Sequence, residues 1–399
     1  MGLIKGRFIF WAAGAQGQGI SGGDRIFIEL ARRWSGKHKV KIIVCEDGYK
    51  ICEKQGITKG QIRFKVIKLG IWNKMGFLIS YFFRILLGIH QSLLFRANIA
   101  EKTFIYSASE FWMDCIPCFI LKLRYPSLKW IASWYQTAPN PIIGYSEITG
   151  VPRYRIRAFV YWLMQLFSKP IISRFADYIF VNNEDEKKIF NKKNEAGRVF
   201  VMLGAIDTVG IRTWIKSHKI SQKYDAVFQG RFHAQKGVLE LVKIWKMVVK
   251  IKPTVQLAMI GDGPLFEEVK REINRLRINK NIKLFGFIFD NNEKYKIFCQ
   301  SRIVVHPSFY DSGGISSIEA MAFGLPCVGF QLSSYNSYFP QGMIKARKGD
   351  LKDFAGKIIR FLEDRNYRLL MSKEGNKYLA GGWSWEERAD QAEKFLIQK

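Results

Sequence analysis

Two parallel, doubly wound α/β sheets in tandem are the fold this sequence predicts, and three observations predict it. Short β-branched runs alternate with helical stretches along much of the chain. Glycine-rich turns sit where strands give way to helices, at Gly22-Gly23, Gly230–Gly237 and Gly313-Gly314. A length of 399 residues also exceeds what one ordinary core fills, which points to about two or three domains.

In the first half, Phe8–Ala12, Val40–Cys45, Phe104–Ser107, Lys129–Ser133 and Tyr178–Val181 read as strands, with Asp24–Trp34 as the first helix. Two basic, aromatic helices are expected over residues 72–97 and 153–174. A link is expected near Met202–Ile211, where Gly204 and Gly210 punctuate a strand end. The second half is cleaner. Strands at Asp225–Gln229, Val255–Ile260, Ile282–Phe285, Ile303–His306 and Cys327–Phe330 alternate with helices at Val238–Lys250, Leu265–Leu276, Glu293–Gln300 and Ile315–Phe323. Apolar runs of this kind are buried on both faces of a parallel sheet. Ser384 to Glu387 has capping-box spacing and opens a last helix to Ile397, with Trp385, Ala389, Ala392 and Leu396 on one face. The expected domains are residues 1–207, joined by the helix 384–399, and residues 208–383.

Composition narrows the partners without choosing among them. A formal charge of +29 suits an anionic partner, whether nucleic acid, acidic headgroups or a phosphorylated substrate. The basic residues are spread along the chain, and no nucleic-acid-binding motif appears, so nucleic acid is the weaker reading. Six cysteines make no disulfide framework, and the lone Cys115/Cys118 pair has no second pair or histidines in range to complete a zinc site. A reduced, cytoplasmic setting is expected. Residues 1–15 mimic a secretion signal but read better as a first strand running into a glycine loop. Met75–Phe95 is long enough to span a membrane, yet Arg84 at its middle costs about 2.5–3.5 kcal/mol on insertion scales. It reads as a membrane-facing or buried helix.

Three segments carry chemistry. Gly22 and Gly23 ahead of the first helix let backbone amides approach a phosphate. Gly230-Arg231-Phe232-His233-Ala234-Gln235-Lys236-Gly237 puts two cations, Arg231 and Lys236, at a strand's carboxyl end, where a diphosphate can be gripped. In Asp311-Ser312-Gly313-Gly314-Ile315, the glycines free the backbone at a helix start, and Glu319 follows eight residues after Asp311. One carboxylate can hold sugar hydroxyls and the other a ribose diol.

Those segments, in order and spacing, resemble the motifs of family 4 glycosyltransferases, retaining enzymes of the GT-B fold. The likeness is dense in GRFHAQKG, MIGDGP, KLFGFI and HPSFYDSGGISSIEAMAFGLPCVGF, and extends to SGGDRIFIELARRW and SWEERADQAEKFL. It implies two facing Rossmann-like domains with a cleft between them and a C-terminal helix crossing back to the first. It implies that Arg231 and Lys236 bind a donor diphosphate, with Gly22 and Gly23 adding backbone contacts. Amides around Gly313, Gly314 and Ile315 would meet the phosphate, Gly286, Phe287 and Ile288 would lie against the base, Asp311 would steer the sugar and Glu319 would hold the ribose. Asp311 stands where the family usually has Glu, and Gln136 where many relatives place a His near the acceptor.

The expected activity is transfer of a sugar from a nucleotide-diphosphate donor to a glycan or lipid-linked acceptor in cell-surface polysaccharide or glycolipid synthesis, with neither metal nor cofactor. A non-catalytic nucleotide-sugar sensor is the alternative. Arg153, Arg155, Arg157, Lys169 and Arg174 accompany Phe159, Tyr161, Trp162, Leu163 and Phe167, the mix of an interfacial helix. Peripheral binding to the anionic inner face of a membrane is expected from it.

Overall fold

The structure is a computed structural model describing residues 6–16, 21–57, 60, 62–97, 101–142, 144, 155–190, 196–218 and 221–397; the side chains of Arg155, Arg157 and Ala196 are outside that description, as is Arg153 altogether. Two compact units emerge. One comprises 1–138, 160–204 and 385–399; the other comprises 139–159 and 205–384, so the segment 139–159 groups with the second unit.

The first unit contains β1 (Arg7–Ala12), α1 (Gly22–Trp34), β2 (Lys39–Cys45), α2 (Glu46–Lys54), β3 (Arg63–Ile67), α3 (Phe77–Leu94), β4 (Thr103–Ser107), α4 (Trp112–Arg124), β5 (Lys129–Trp134), most of α5 (Arg155–Phe175), β6 (Tyr178–Val181), α6 (Glu184–Ile189) and β7 (Val199–Val201). Its sheet runs β3-β2-β1-β4-β5-β6-β7, with each adjacent pair parallel. The stretch that mimics a secretion signal thus supplies an interior strand, β1, paired on both sides. Trp11, Trp130 and Trp134 are wholly buried against Ile9, Ile105 and Cys118.

The second unit contains α7 (Thr208–Ser217), β8 (Tyr224–Gln229), α8 (Val238–Ile251), β9 (Leu257–Ile260), α9 (Phe266–Arg275), β10 (Ile282–Gly286), α10 (Asn291–Cys299), β11 (Ser301–His306), α11 (Ile315–Met321), β12 (Cys327–Phe330), α12 (Tyr335–Tyr338), β13 (Met343–Ala346), α13 (Leu351–Glu363) and α14 (Arg365–Leu379). Its parallel sheet has the order β10-β9-β8-β11-β12-β13. Both sheets therefore reverse direction beside their first strand, at β1/β4 and at β8/β11. In open α/β sheets, ligands bind outside the strand carboxyl ends at such switch points.

The last helix, α15 (Trp385–Ile397), belongs to the first unit. Trp385, Ala389, Ala392 and Leu396 are all buried, as their spacing predicts. Trp34 Nε1 donates to the Ala389 carbonyl at 3.2 Å, and the buried pair His38–Glu393 closes to 2.9 Å. Glu29, in α1, is 1% exposed and held by Arg25, Arg32 and Arg33, the last of which also reaches Glu386.

Two expectations need correcting. Gly22 and Gly23 do not precede the first helix; they form its first turn. Ser21 caps it, with Asp24 N–H donating to Ser21 Oγ and Ser21 N–H donating to the Asp24 carboxylate, so helix formation starts two residues earlier. Tyr161 does not turn its hydroxyl to an interface either: it points inward and lies 2.7 Å from both Glu110 Oε1 and the Gln136 carbonyl.

Candidate active site

The β8–α8 connection is built to be rigid. Phe232 is completely buried, its N–H donating to Asp262 O and its carbonyl accepting from Leu265 N–H, so the GRF and GDGP turns are joined. Gly237 starts α8 with φ +62, and a Cβ there would stand 2.1 Å from the Pro307 carbonyl. Only glycine satisfies both conditions. The turn delivers its two cations differently. Arg231 is exposed, and its guanidinium has no hydrogen-bond or ion-pair partner among the described residues. Lys236 is mostly buried, with Nζ 2.6 Å from Asp311 Oδ2.

Asp311, leaving β11, is the hub of the site. Besides Lys236, its Oδ2 meets His306 Nε2 at 2.8 Å and the Tyr335 hydroxyl at 3.3 Å. Its Oδ1 accepts from the Gly313 and Gly314 N–H groups, both at 3.2 Å. Burial would raise this carboxyl, but the Lys236 charge and His306 outweigh it and hold Asp311 well below the ordinary carboxylate range. An ionised Asp311 accepts hydrogen bonds, so His306 carries its proton on Nε2. His306 Nδ1 is then an acceptor, buried without a partner. Gly314, at φ +67, is the N-cap of α11, and the first-turn amides of Ile315 and Ser316 have no intrahelical acceptor.

Glu319 lies one turn further along α11, and Lys294 Nζ grips its Oε1 at 2.9 Å. At the neighbouring end of β10, Gly286 takes φ +69 and its carbonyl accepts from Gly261 N–H. Phe287 and Phe289 emerge exposed, their rings 4.4 Å apart, with the half-buried Ile288 between them. Arg231, Lys236, Asp311, Gly313, Gly314, Ile315, Glu319 and the 286–288 turn thus all gather at the carboxyl edge of one sheet, around β8/β11.

In the first unit, Gly22 is exposed, and a Cβ on Gly23 would press to 3.2 Å from the Tyr135 ring. The Gln136 carbonyl is fixed by Tyr161 and by Gln165 Nε2 at 2.7 Å. Its side-chain amide has no hydrogen-bond partner among the described residues. Nearby, Asp114 accepts from Gly14 N–H at 3.0 Å and Ser109 Oγ at 2.5 Å, and burial pushes its carboxyl up to about 7.

His306, Tyr335 and Lys294 escaped the sequence reading. His306 was visible as a strand end, but nothing in its spacing shows that it would fold back onto a residue five positions on. Tyr335 reaches Asp311 from 24 residues away, and Lys294 reaches Glu319 from 25.

Residues 210–378 match the family model of glycosyl transferases group 1, nearly the whole of the second unit. The second unit is thus similar to a glycosyltransferase domain, and the chain as a whole has the GT-B fold. The chain is 30% identical over 108 residues to the poly(glycerol-phosphate) alpha-glucosyltransferase of Bacillus subtilis, covering 27% of this chain and 16% of that one. It is 23% identical to the capsular polysaccharide biosynthesis glycosyltransferase CapM of Staphylococcus aureus, over 62% of this chain and 70% of the relative. Among solved structures, Anabaena HepE in complex with UDP and glucose superposes at TM-score 0.71 and 14% identity, covering 98% of this chain and 99% of that one. A sucrose-phosphate synthase from Thermosynechococcus elongatus superposes at 0.71 and 15% identity, covering 99% of both.

Proposed function

We propose that this protein is a retaining glycosyltransferase of family 4 that moves a sugar from a nucleotide-diphosphate donor to a glycan or lipid-linked acceptor in cell-surface polysaccharide or glycolipid synthesis. The observation that carries the reading is the Lys236–Asp311 pair beside the unpaired Arg231 at the β8/β11 switch point. Negative charge builds on the departing diphosphate as its bond to the sugar breaks. A guanidinium and a pre-positioned ammonium are what stabilise it. Asp311 spends its lone pairs on Lys236, His306, Tyr335 and two loop amides, so it acts by fixing the cation and the α11 entrance. Lys294 takes one oxygen of Glu319, which leaves the other for a ribose diol.

The acceptor hydroxyl attacks the anomeric carbon from the face the phosphate leaves. The new C–O bond forms as the old one breaks, and the acceptor's proton passes to the leaving phosphate oxygen. No side-chain base is required, so Gln136, which can bind a hydroxyl but not deprotonate it, is compatible with turnover. HepE, captured with UDP and glucose, supports a nucleotide-sugar donor, and relatives named for capsular polysaccharide support a glycan product. Six unpaired thiols support a cytoplasmic setting.

The test is nucleotide release from a panel of nucleotide sugars by the purified protein. Turnover is expected with at least one donor, and Lys236→Ala should lower it about 100-fold or more. Glu319→Ala should act mainly by raising the donor KM. Full activity in both variants would remove this site, and binding without turnover by the unaltered protein would favour the sensor.

A further inference from the structure

α3 is amphipathic the wrong way round for a helix of a water-facing surface. Its buried positions are Ser80, Tyr81, Arg84, Gly88 and Ser92. Arg84 is 1% exposed and donates to the Ala13 carbonyl at 2.8 Å and to Asp47 and Asn73 at 2.9 Å each. Leu78, Phe82, Leu86 and Leu93 instead point outward in one stripe, 43–69% exposed. α5 repeats the inversion: Gln165 and Ser168 are buried, while Leu166 and Phe167 are 52% and 54% exposed. Contiguous apolar surface of this kind marks an interaction face.

The two helices flank α4 on one side of the first unit's sheet. Trp112 N–H donates to the Tyr81 hydroxyl of α3, and Trp112 Nε1 donates to the Met164 carbonyl of α5. Gly88 brings α3 close, since a Cβ there would stand 3.0 Å from Pro117. Helices that connect parallel strands run against them, so the N-terminal halves of α3 and α5 lie at the sheet's carboxyl edge. Leu78, Phe82, Trp162 and Leu163 are therefore at the end of the unit from which Gln136 emerges.

We infer that the outward face of α3 and α5 seats on a bilayer containing anionic lipid, its leucines and phenylalanines entering the headgroup–acyl boundary. Charge selects this occupant over a second copy of the chain. The single acidic residue within α3, α4 and α5 is the buried Asp114, whereas the first-unit part of α5 carries the exposed Lys169 and Arg174. Exposed Lys74, Arg96, Lys169 and Arg174 flank the apolar stripes and have no acidic partner among the described residues. A self-interface would set these like charges against one another. Anionic headgroups neutralise them. The inference stands on the burial pattern and charge of the first unit and does not depend on the donor site.

Flotation of the full chain with phosphatidylcholine vesicles, and with vesicles also containing phosphatidylglycerol, tests it. The protein should float with the anionic vesicles about tenfold more strongly than with neutral ones. Phe82→Glu/Leu166→Glu should cut that binding about tenfold or more, with circular dichroism and vesicle-free nucleotide release unchanged. Should that variant misfold, quenching of the unaltered protein's tryptophans by brominated lipid, reduced in Trp162→Phe, gives the same answer. The absence of flotation and of quenching on anionic vesicles overturns the inference, whatever the donor assay shows. So does a dimer in sedimentation velocity that Phe82→Glu dissolves without any vesicle binding.

Discussion

The two sheets share one strand order over six strands, with β7 added to the first, yet their carboxyl edges are furnished differently. In the second unit the edge carries fixed charge: Asp311 is held ionised by Lys236 and His306, Glu319 is paired with Lys294, and the Arg231 guanidinium has no partner among the described residues. In the first unit the corresponding edge also holds an ion pair, Arg84–Asp47, but its groups near β4 and β5 carry less charge. Asp114 is lifted towards pH 7 by burial, the Tyr106 and Tyr135 hydroxyls meet each other, and Gln136 offers an amide. Under the proposed function, the difference follows from what each edge would hold. A diphosphate is the same anion in every nucleotide donor and calls for cations at fixed places. An acceptor is met through neutral hydrogen bonds and shape.

The most damaging way to break that contrast is to neutralise the hub. Asp311→Asn keeps an oxygen for the Gly313 and Gly314 amides but leaves Lys236 mostly buried without its counter-charge. Losing one partner of such a pair costs about 3 kcal/mol or more, and nucleotide release should fall with it. The pH dependence has a definite sign. Because the folded carboxyl lies below its unfolded value of about 3.9, its stabilisation is complete above that pH and is lost only as pH falls through the depressed value. Urea unfolding should therefore show a gap between the two proteins that is constant from pH 5 to 8 and narrows below about pH 4. A gap that closed near neutrality would contradict the assigned network.

Asp114 should behave in the opposite sense. Its folded carboxyl, at about 7, lies above the unfolded value, so the native state favours the protonated form. Wild-type stability is then lost progressively as pH rises from about 4 to about 7, and levels off beyond. Asp114→Asn removes that slope, and at pH 8 it should be about 2 kcal/mol more stable than the unaltered chain, after allowance for imperfect replacement of the Ser109 bond. Thermal melts at pH 5 and 8 check it. Equal pH slopes in the two proteins would mean that Asp114 is charged in the fold.

The same contrast explains what could be read in the sequence. Strands at Tyr178–Val181 and Cys327–Phe330 are legible to the residue, because both are buried apolar runs between clear turn signals. β3 was missed: as an edge strand it alternates Arg63, Phe64, Lys65 and Val66, and shows no apolar run. β13 is another edge strand, only four residues long. α4 was hidden by Pro117 within it. In the second unit, glycines and charges mark the loops, so Arg231, Lys236, Asp311 and Glu319 can be picked out individually. Their pairing cannot: Lys236 and Asp311 are 75 residues apart, and only the adjacency of β8 and β11 brings them together. Likewise Arg84 stood out as a charge in an apolar helix, but only the fold shows Asp47, Asn73 and Ala13 waiting for it.

The smallest effect belongs to Gln136, and it isolates the acceptor edge from the donor edge. Its carbonyl is locked by Tyr161 and Gln165, so truncating the side chain leaves those bonds in place and should not alter the melting temperature measurably. A single neutral hydrogen bond to an acceptor hydroxyl is worth about 0.5–1.5 kcal/mol, or roughly 2- to 12-fold. Gln136→Ala should therefore slow sugar transfer to acceptors in a lipid extract by that factor, while release of nucleotide to water, which needs only the donor edge, stays the same. Gln136→His should restore transfer, since an imidazole can donate to or accept from the same hydroxyl. If truncation slowed hydrolysis and transfer equally, Gln136 would be serving the donor, and the division of labour between the two edges would not hold.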